Sequence, residues 1–211
     1  MTLVSDIDGC LASFESAWNP LLAKITGEDK LPKGWSDDPN FPSEWDWDKT
    51  AYGKDIVSKG WEHVARSDKF WLDLKPMPGV GLEVGKQLNR LQRNHDVFFM
   101  TSRCGVGVQR QTCQWLYDNL GINYPNVIVV KHFDDKWPLL DNLRAKWFID
   151  DKLETMEGWY NYCYKAGIRT NDHYFALVDR PYNRNGRTVK DMRVAANVED
   201  ALKQSNLLEL T

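Results

Sequence analysis

Short apolar runs alternate with stretches of helical period along this chain. Leu3 to Ile7, Val97 to Met100, Val127 to Val130, Trp147 to Ile149 and Tyr174 to Val178 each read as a strand, the first of them interrupted by acids. Between them, Val80, Val84, Leu88 and Leu91 recur at spacings of four, four and three, which places them on one helix face. Pro78-Gly79 precedes that helix and Asn94 lies near its end. Val106 to Leu120 reads as a second helix ending at Gly121. Pro138 to Lys146, with proline in the first turn, reads as a third, and Glu154 to Ala166, closed by Gly167, as a fourth. Strands and helices alternating in this way predict right-handed βαβ units, hence an α/β fold whose parallel sheet carries helices on both faces.

One stretch departs from that rhythm. Between the first strand and Pro76 the helical patterns Ser13 to Lys24 and Lys54 to Arg66 flank a Pro-, Asp- and Trp-rich loop from Leu31 to Trp47. This is an insertion after the first strand, which divides the chain into a core of residues 1–13 and 76–211 and a small, mostly helical cap of residues 14–75. The run holding Arg180, Arg184, Arg187, Lys190 and Arg193 reads as a solvated loop.

Composition narrows the function classes. A chain of 211 residues with 42% hydrophobic and 27% charged side chains is globular, with room for one domain plus an insertion. No run of about 18 apolar residues is present, so no membrane span is expected; the early Asp6 argues against a signal peptide. A net charge of -3 argues against strong nucleic-acid binding. The four cysteines form no CxxC pair, which predicts a reduced, cytoplasmic protein.

The chemistry gathers at strand ends. In Asp6-Ile7-Asp8-Gly9 the two acids, at i and i+2, share one side of an extended chain, and Gly9 lets the chain turn away. Adjacent anions at the carboxyl end of a parallel strand imply a shared hard cation such as Mg²⁺; a surface turn with two solvated acids is the plainer alternative. Phe98 to Met100 runs into Thr101-Ser102-Arg103, whose hydroxyl and free N–H groups suit a phosphate oxygen. Phe148-Ile149 runs into Asp150-Asp151, a second acidic pair that is costly at a buried strand end unless it faces a cation.

These three motifs, in this order, resemble those of the haloacid dehalogenase superfamily, and the insertion lies where that superfamily carries its type-1 cap. The segments DIDGCLASFESAW, FWLDLKPMPGV, DVFFMTSR, FIDDK and LVDRPYN more specifically resemble the 5'(3')-deoxyribonucleotidase family. The resemblance implies a Rossmann-like core and Mg²⁺-dependent dephosphorylation of nucleoside monophosphates. It implies Asp6 as nucleophile, forming an aspartyl-phosphate, and Asp8 as acid and then base. It places Mg²⁺ on Asp6, the Asp8 carbonyl and Asp150 or Asp151, and the non-bridging oxygens on Thr101 and Ser102. For the phosphate-binding cation, Lys136 is favoured over Lys131 and Arg110. Dimers are common in this family, which admits a homodimer; the sequence itself does not fix the oligomeric state.

Two features stay open at this point. The family tends to have Pro where Arg103 stands; an arginine there resembles the polynucleotide 3'-phosphatase branch and offers a bidentate phosphate clamp, or is a loop cation. That branch is the alternative function, with a non-catalytic nucleotide-binding module as a third reading. Six of the ten tryptophans (Trp18, Trp35, Trp45, Trp47, Trp61 and Trp71) precede Pro76. Phe14 and Trp18, one helical turn apart just past the first motif, are the candidates for stacking a nucleobase; packing within the cap is the other use for such residues. Trp115, Trp137, Trp147 and Trp159 are assigned to core packing.

Overall fold

A computed structural model describes residues 1–27, 41–170, 173–184 and 192–207. Trp35, Arg187, Lys190 and most of the 31–47 loop lie outside the described residues. Six strands form one parallel sheet: β1 (Thr2–Asp6), β4 (Asp96–Thr101), β5 (Asn126–Val129), β6 (Ala145–Asp150), β7 (Tyr174–Val178) and β8 (Arg193–Ala195), in the order β5-β4-β1-β6-β7-β8. Two short antiparallel strands, β2 (Ala12–Ser13) and β3 (Lys75–Pro76), pair Ala12 with Pro76 and Ser13 with Lys75, so the two ends of the insertion meet. The helices are α1 (Glu15–Thr26), α2 (Trp47–Tyr52), α3 (Lys54–Arg66), α4 (Leu82–Leu91), α5 (Val108–Leu120), α6 (Lys136–Asn142), α7 (Leu153–Ala166) and α8 (Val198–Gln204). The α/β fold read from the sequence is therefore present, as a Rossmann-like sheet with layers on both sides.

The central strands are buried on both faces and divide their side chains by the period of two. Leu3, Ile149, Ala176 and Val178 enter one apolar cluster, and Val4, Phe148, Phe175 and Leu177 the other. Trp115 and Trp159 are fully buried on opposite sides of the sheet, while Trp137 and Trp147 pack at the margins of the clusters. Burying side chains of this size contributes roughly 1.5–3 kcal/mol each relative to exposure. No helix among the described residues is long and apolar enough to cross a membrane.

Some boundaries differ from the periodic reading. The helix expected over Pro138 to Lys146 is α6, which starts at Lys136 and ends at Asn142; Ala145 and Lys146 belong to β6. The helix expected from Val106 begins at Val108, after left-handed Gly107. Strand β8, helix α8 and the cap helix α2 are additional. The solvated-loop reading fails at Arg180, which is buried; Arg184 is exposed as expected.

The sheet order places β1 between β4 and β6, with chain progression diverging on either side. In open α/β sheets such a crevice at the carboxyl ends is where ligands bind. Registers of Asp6 with Met100 and Ser5 with Ile149 bring the ends of the three motif strands level.

Candidate active site

Past Asp6 the chain makes a compact loop, in which the N–H groups of Leu11 and Ala12 donate to the Ile7 carbonyl at 2.7 and 2.8 Å. Gly9 has a φ of 78°, and a Cβ there would lie 2.1 Å from Asp151 Oδ2. The glycine is needed for both reasons, since the second acidic pair closes directly onto the first loop.

Asp6, Asp150 and Asp151 are all buried at this point. Lys136, also buried, donates from Nζ to Asp6 Oδ1 at 2.5 Å and to Asp150 Oδ2 at 2.8 Å. Asp150 Oδ1 accepts the Lys152 N–H at 2.8 Å. Asp151 accepts from the Tyr182 hydroxyl and faces the Cys10 thiol at 3.9 Å. Burial alone would discharge Lys136, but the Asp150 and Asp6 carboxylates outweigh it and hold its pKa above the ordinary value. Burial pushes the Asp6 carboxyl well up; Lys136 opposes that rise, and Asp150, Asp151 and Asp8 add to it. Asp151 is pushed up to about 7 by burial and by Asp150.

The donor set bears on a metal. Three buried carboxylates gather here, Lys136 contacts two of them, and burial holds Asp6 and Asp151 above the usual carboxylate range. Ligand atoms of Asp6, Cys10 and Asp151 lie within 4.8 Å of one another. Burial pushes the Cys10 thiol up, and the carboxylates supply oxygen donors. An oxygen-rich, negatively charged cluster suits a hard divalent cation.

Asp8 has different company. Arg103 grips it with Nε on Oδ2 and Nη2 on Oδ1, both at 2.8 Å, and Thr101 Oγ1 donates to Oδ2 at 3.3 Å. Arg103 is thus a buried partner of Asp8 rather than a loop cation. Ser102 is exposed and lines the cavity beside Thr101.

That cavity, of about 320 Å³, lies between the strand ends and the cap. Its cap side includes Phe14, Trp45, Asp46, Asp48, Lys49 and Trp61. Phe14 stacks on Trp18 at 5.3 Å and on Trp61 at 5.5 Å. Trp18 lines the cavity with them but is buried, and it donates from Nε1 to Asp48 at 3.0 Å. Trp47 and Trp71 are also buried. Lys131 and Arg110 are exposed and do not line this cavity.

Several contributors carried no signal in the periodic reading. Arg180 donates from Nε to the Gly9 carbonyl at 2.9 Å, and Asn183 Nδ2 bridges the Asp151 and Val178 carbonyls at 2.7 Å each. Both come from the LVDRPYN segment, whose likeness to the nucleotidases was the available clue. Half-buried Glu15, at the first turn of α1, also lines the cavity, and burial pushes its carboxyl up to about 7. Lys152 holds its ammonium 4.0 Å from the Phe133 ring centre and 4.8 Å from that of Trp45, joining core to cap at the rim.

Neither a family model nor a curated protein matches the sequence. Solved structures do. A haloacid dehalogenase-like family hydrolase from Streptococcus pneumoniae is 14% identical with a TM-score of 0.59, covering 97% of this chain and 96% of its own. A hydrolase of that kind from Deinococcus radiodurans, solved with bound phosphate and sodium, is 13% identical with a TM-score of 0.55, covering 98% and 96%. A phosphatase from Thermococcus thioreducens is 17% identical with a TM-score of 0.51, covering 99% of each chain. At these identities the likeness shows a shared fold over the full chain.

Proposed function

We propose that this chain is a phosphomonoester hydrolase that uses Asp6 as its nucleophile and acts on nucleoside monophosphates, as a Mg²⁺-dependent 5'(3')-deoxyribonucleotidase. The observation that carries the phosphatase reading is the contact of Lys136 with both Asp6 and Asp150 at the floor of a capped cavity. A cation fixed beside a buried carboxylate is the arrangement needed to bring two anions, nucleophile and phosphate, together.

Asp6 attacks phosphorus, the bond from phosphorus to the nucleoside oxygen breaks, and an aspartyl-phosphate forms. Asp8 gives its proton to the departing oxygen, then takes one from the water that hydrolyses the intermediate and returns the Asp6 carboxylate. The Ser102 N–H holds a non-bridging oxygen and Lys136 offsets the phosphate's charge, while the Thr101 hydroxyl, given to Asp8 Oδ2, steadies the acid. Asp6, the Asp8 carbonyl and Asp150 or Asp151 would hold Mg²⁺, which when bound supplies charge neutralisation at the phosphoryl group.

The nucleotidase reading is supported by the aromatic cap wall, in which Phe14 and Trp61 border the same cavity as the acids. A flat π surface above a phosphate site suits a nucleobase, with about 1–3 kcal/mol per stacked base. The test is phosphate release from a panel of ribo- and deoxynucleoside 5'- and 3'-monophosphates, with and without Mg²⁺, alongside 3'-phosphorylated oligonucleotides. Release from monomers only in the presence of Mg²⁺ is expected; preference for the oligonucleotides would contradict the nucleotidase assignment.

A further inference from the structure

Arg103 stands next to the cavity with a side chain that has no accessible surface. Its guanidinium is fixed from several directions. Nη1 donates to Thr112 Oγ1 at 3.0 Å on α5, and the group lies 4.8 Å from the centre of the Trp71 ring. Trp71 is itself held, its Nε1 donating to the Cys104 carbonyl at 2.9 Å and its N–H to Gln111 Oε1 at 3.2 Å. The remaining edge of the fork, Nε and Nη2, is filled by Asp8. A planar fork matched to a carboxylate fixes the plane of that carboxylate, which a lysine cannot do.

We propose that Arg103 is a positioning residue for Asp8, which it holds so that Oδ1 delivers the proton to the leaving group, and that it is not a ligand of the substrate phosphate. This rests on the phosphohydrolase reading above. A carboxylate offers about two acceptor positions on each oxygen. On Oδ2 both are taken, by Arg103 Nε at 2.8 Å and by Thr101 Oγ1 at 3.3 Å. On Oδ1 one is taken by Nη2 at 2.8 Å, and the longer Nε contact of 3.2 Å is the second arm of an N–H already committed to Oδ2. The open position is therefore on Oδ1, and the Asp8 side chain is 23% exposed while its arginine partner is closed off. In the first step the proton on Oδ1 passes to the nucleoside oxygen as its bond to phosphorus breaks, leaving Asp8 as a carboxylate paired with Arg103. In the second, Oδ1 removes a proton from the attacking water.

The experiment compares leaving groups. A nucleoside oxygen needs a proton to depart, whereas p-nitrophenolate does not. First-turnover release of p-nitrophenolate from p-nitrophenyl phosphate, and of nucleoside from the most rapidly hydrolysed nucleoside monophosphate, isolates the step that phosphorylates Asp6. In Arg103→Lys, nucleoside release is expected to slow by about 10²-fold, the lower end of what general acid catalysis contributes. Release of p-nitrophenolate is expected to stay within about threefold of wild type, with unchanged inhibition by inorganic phosphate. Equal losses on both substrates, together with weakened phosphate inhibition, would show Arg103 to be a phosphate ligand and overturn the proposal. If Arg103→Lys does not fold, Thr112→Val removes one anchor of the guanidinium and should show the same contrast at roughly threefold; equal loss on both substrates there also overturns it. Failure of the wild-type protein to hydrolyse either ester would remove the underlying phosphohydrolase reading, a result seen before any variant is made.

Discussion

Lys136 Nζ lies 2.5 Å from Asp6 Oδ1 and 2.8 Å from Asp150 Oδ2, so one ammonium ties the end of β1 to the end of β6. Removing it leaves buried carboxylates facing one another. Lys136→Met is therefore expected to abolish phosphatase activity and to destabilise the metal-free protein by about 3–5 kcal/mol. Urea unfolding in the presence of a chelator measures this. Mg²⁺ should recover part of the lost stability, and an unchanged midpoint without metal would contradict the electrostatic account.

Gly9 is the point where the two acidic loops touch. Gly9→Ala adds a Cβ at 2.1 Å from Asp151 Oδ2, on a backbone with φ of 78°. Strain of about 1–3 kcal/mol is expected, together with a large loss of activity as Asp151 is displaced. Thermal unfolding and turnover on p-nitrophenyl phosphate check the two effects separately.

Stability should also carry a pH signature from Glu15. Burial pushes its folded pKa up to about 7 from an ordinary 4.5. Between those values the folded state holds a proton that the unfolded state has released, so stability falls as pH rises through this window and levels off above it. Glu15→Gln should remove that part of the fall. Its stability relative to wild type is expected to be flat below pH about 4.5 and to rise by on the order of 2 kcal/mol by pH about 7. Denaturant midpoints of both proteins, measured without metal across this range, test the sign.

Phe14 borders the cavity and stacks on both Trp18 and Trp61, whose own rings lie 4.8 Å apart. Phe14→Leu keeps an apolar filler but removes the π face. On the nucleotidase reading, KM for a nucleoside monophosphate should rise about tenfold, while that for a small alkyl phosphate changes little. Equal effects on both would mean that Phe14 serves packing alone.

How much of this was legible in the sequence varies by residue. Asp6, Thr101 and Asp150 end strands whose apolar runs were plain, and parallel pairing brings such ends to one edge whatever the strand order. The grip of Arg103 on Asp8 joins residues 95 apart, and that of Arg180 on Gly9 joins residues 171 apart. Those contacts depend on which strands neighbour β1, and on the turns of the intervening chain, neither of which periodicity encodes. Trp18 borders the cavity beside Phe14, as their spacing predicts, but its burial depends on Trp61 and Asp48, from other parts of the insertion, which spacing does not encode. Strand β8 is three residues long and α8 seven, too short for a period to stand out.

The central claim is that Asp6 carries the phosphoryl group. Rapid quenching during turnover, followed by borohydride reduction, converts an aspartyl-phosphate to homoserine, which peptide mass spectrometry locates. The account expects homoserine at position 6 in wild type and none in Asp6→Asn. Undiminished turnover in Asp6→Asn, or homoserine at Asp8, Asp150 or Asp151 instead, would contradict it.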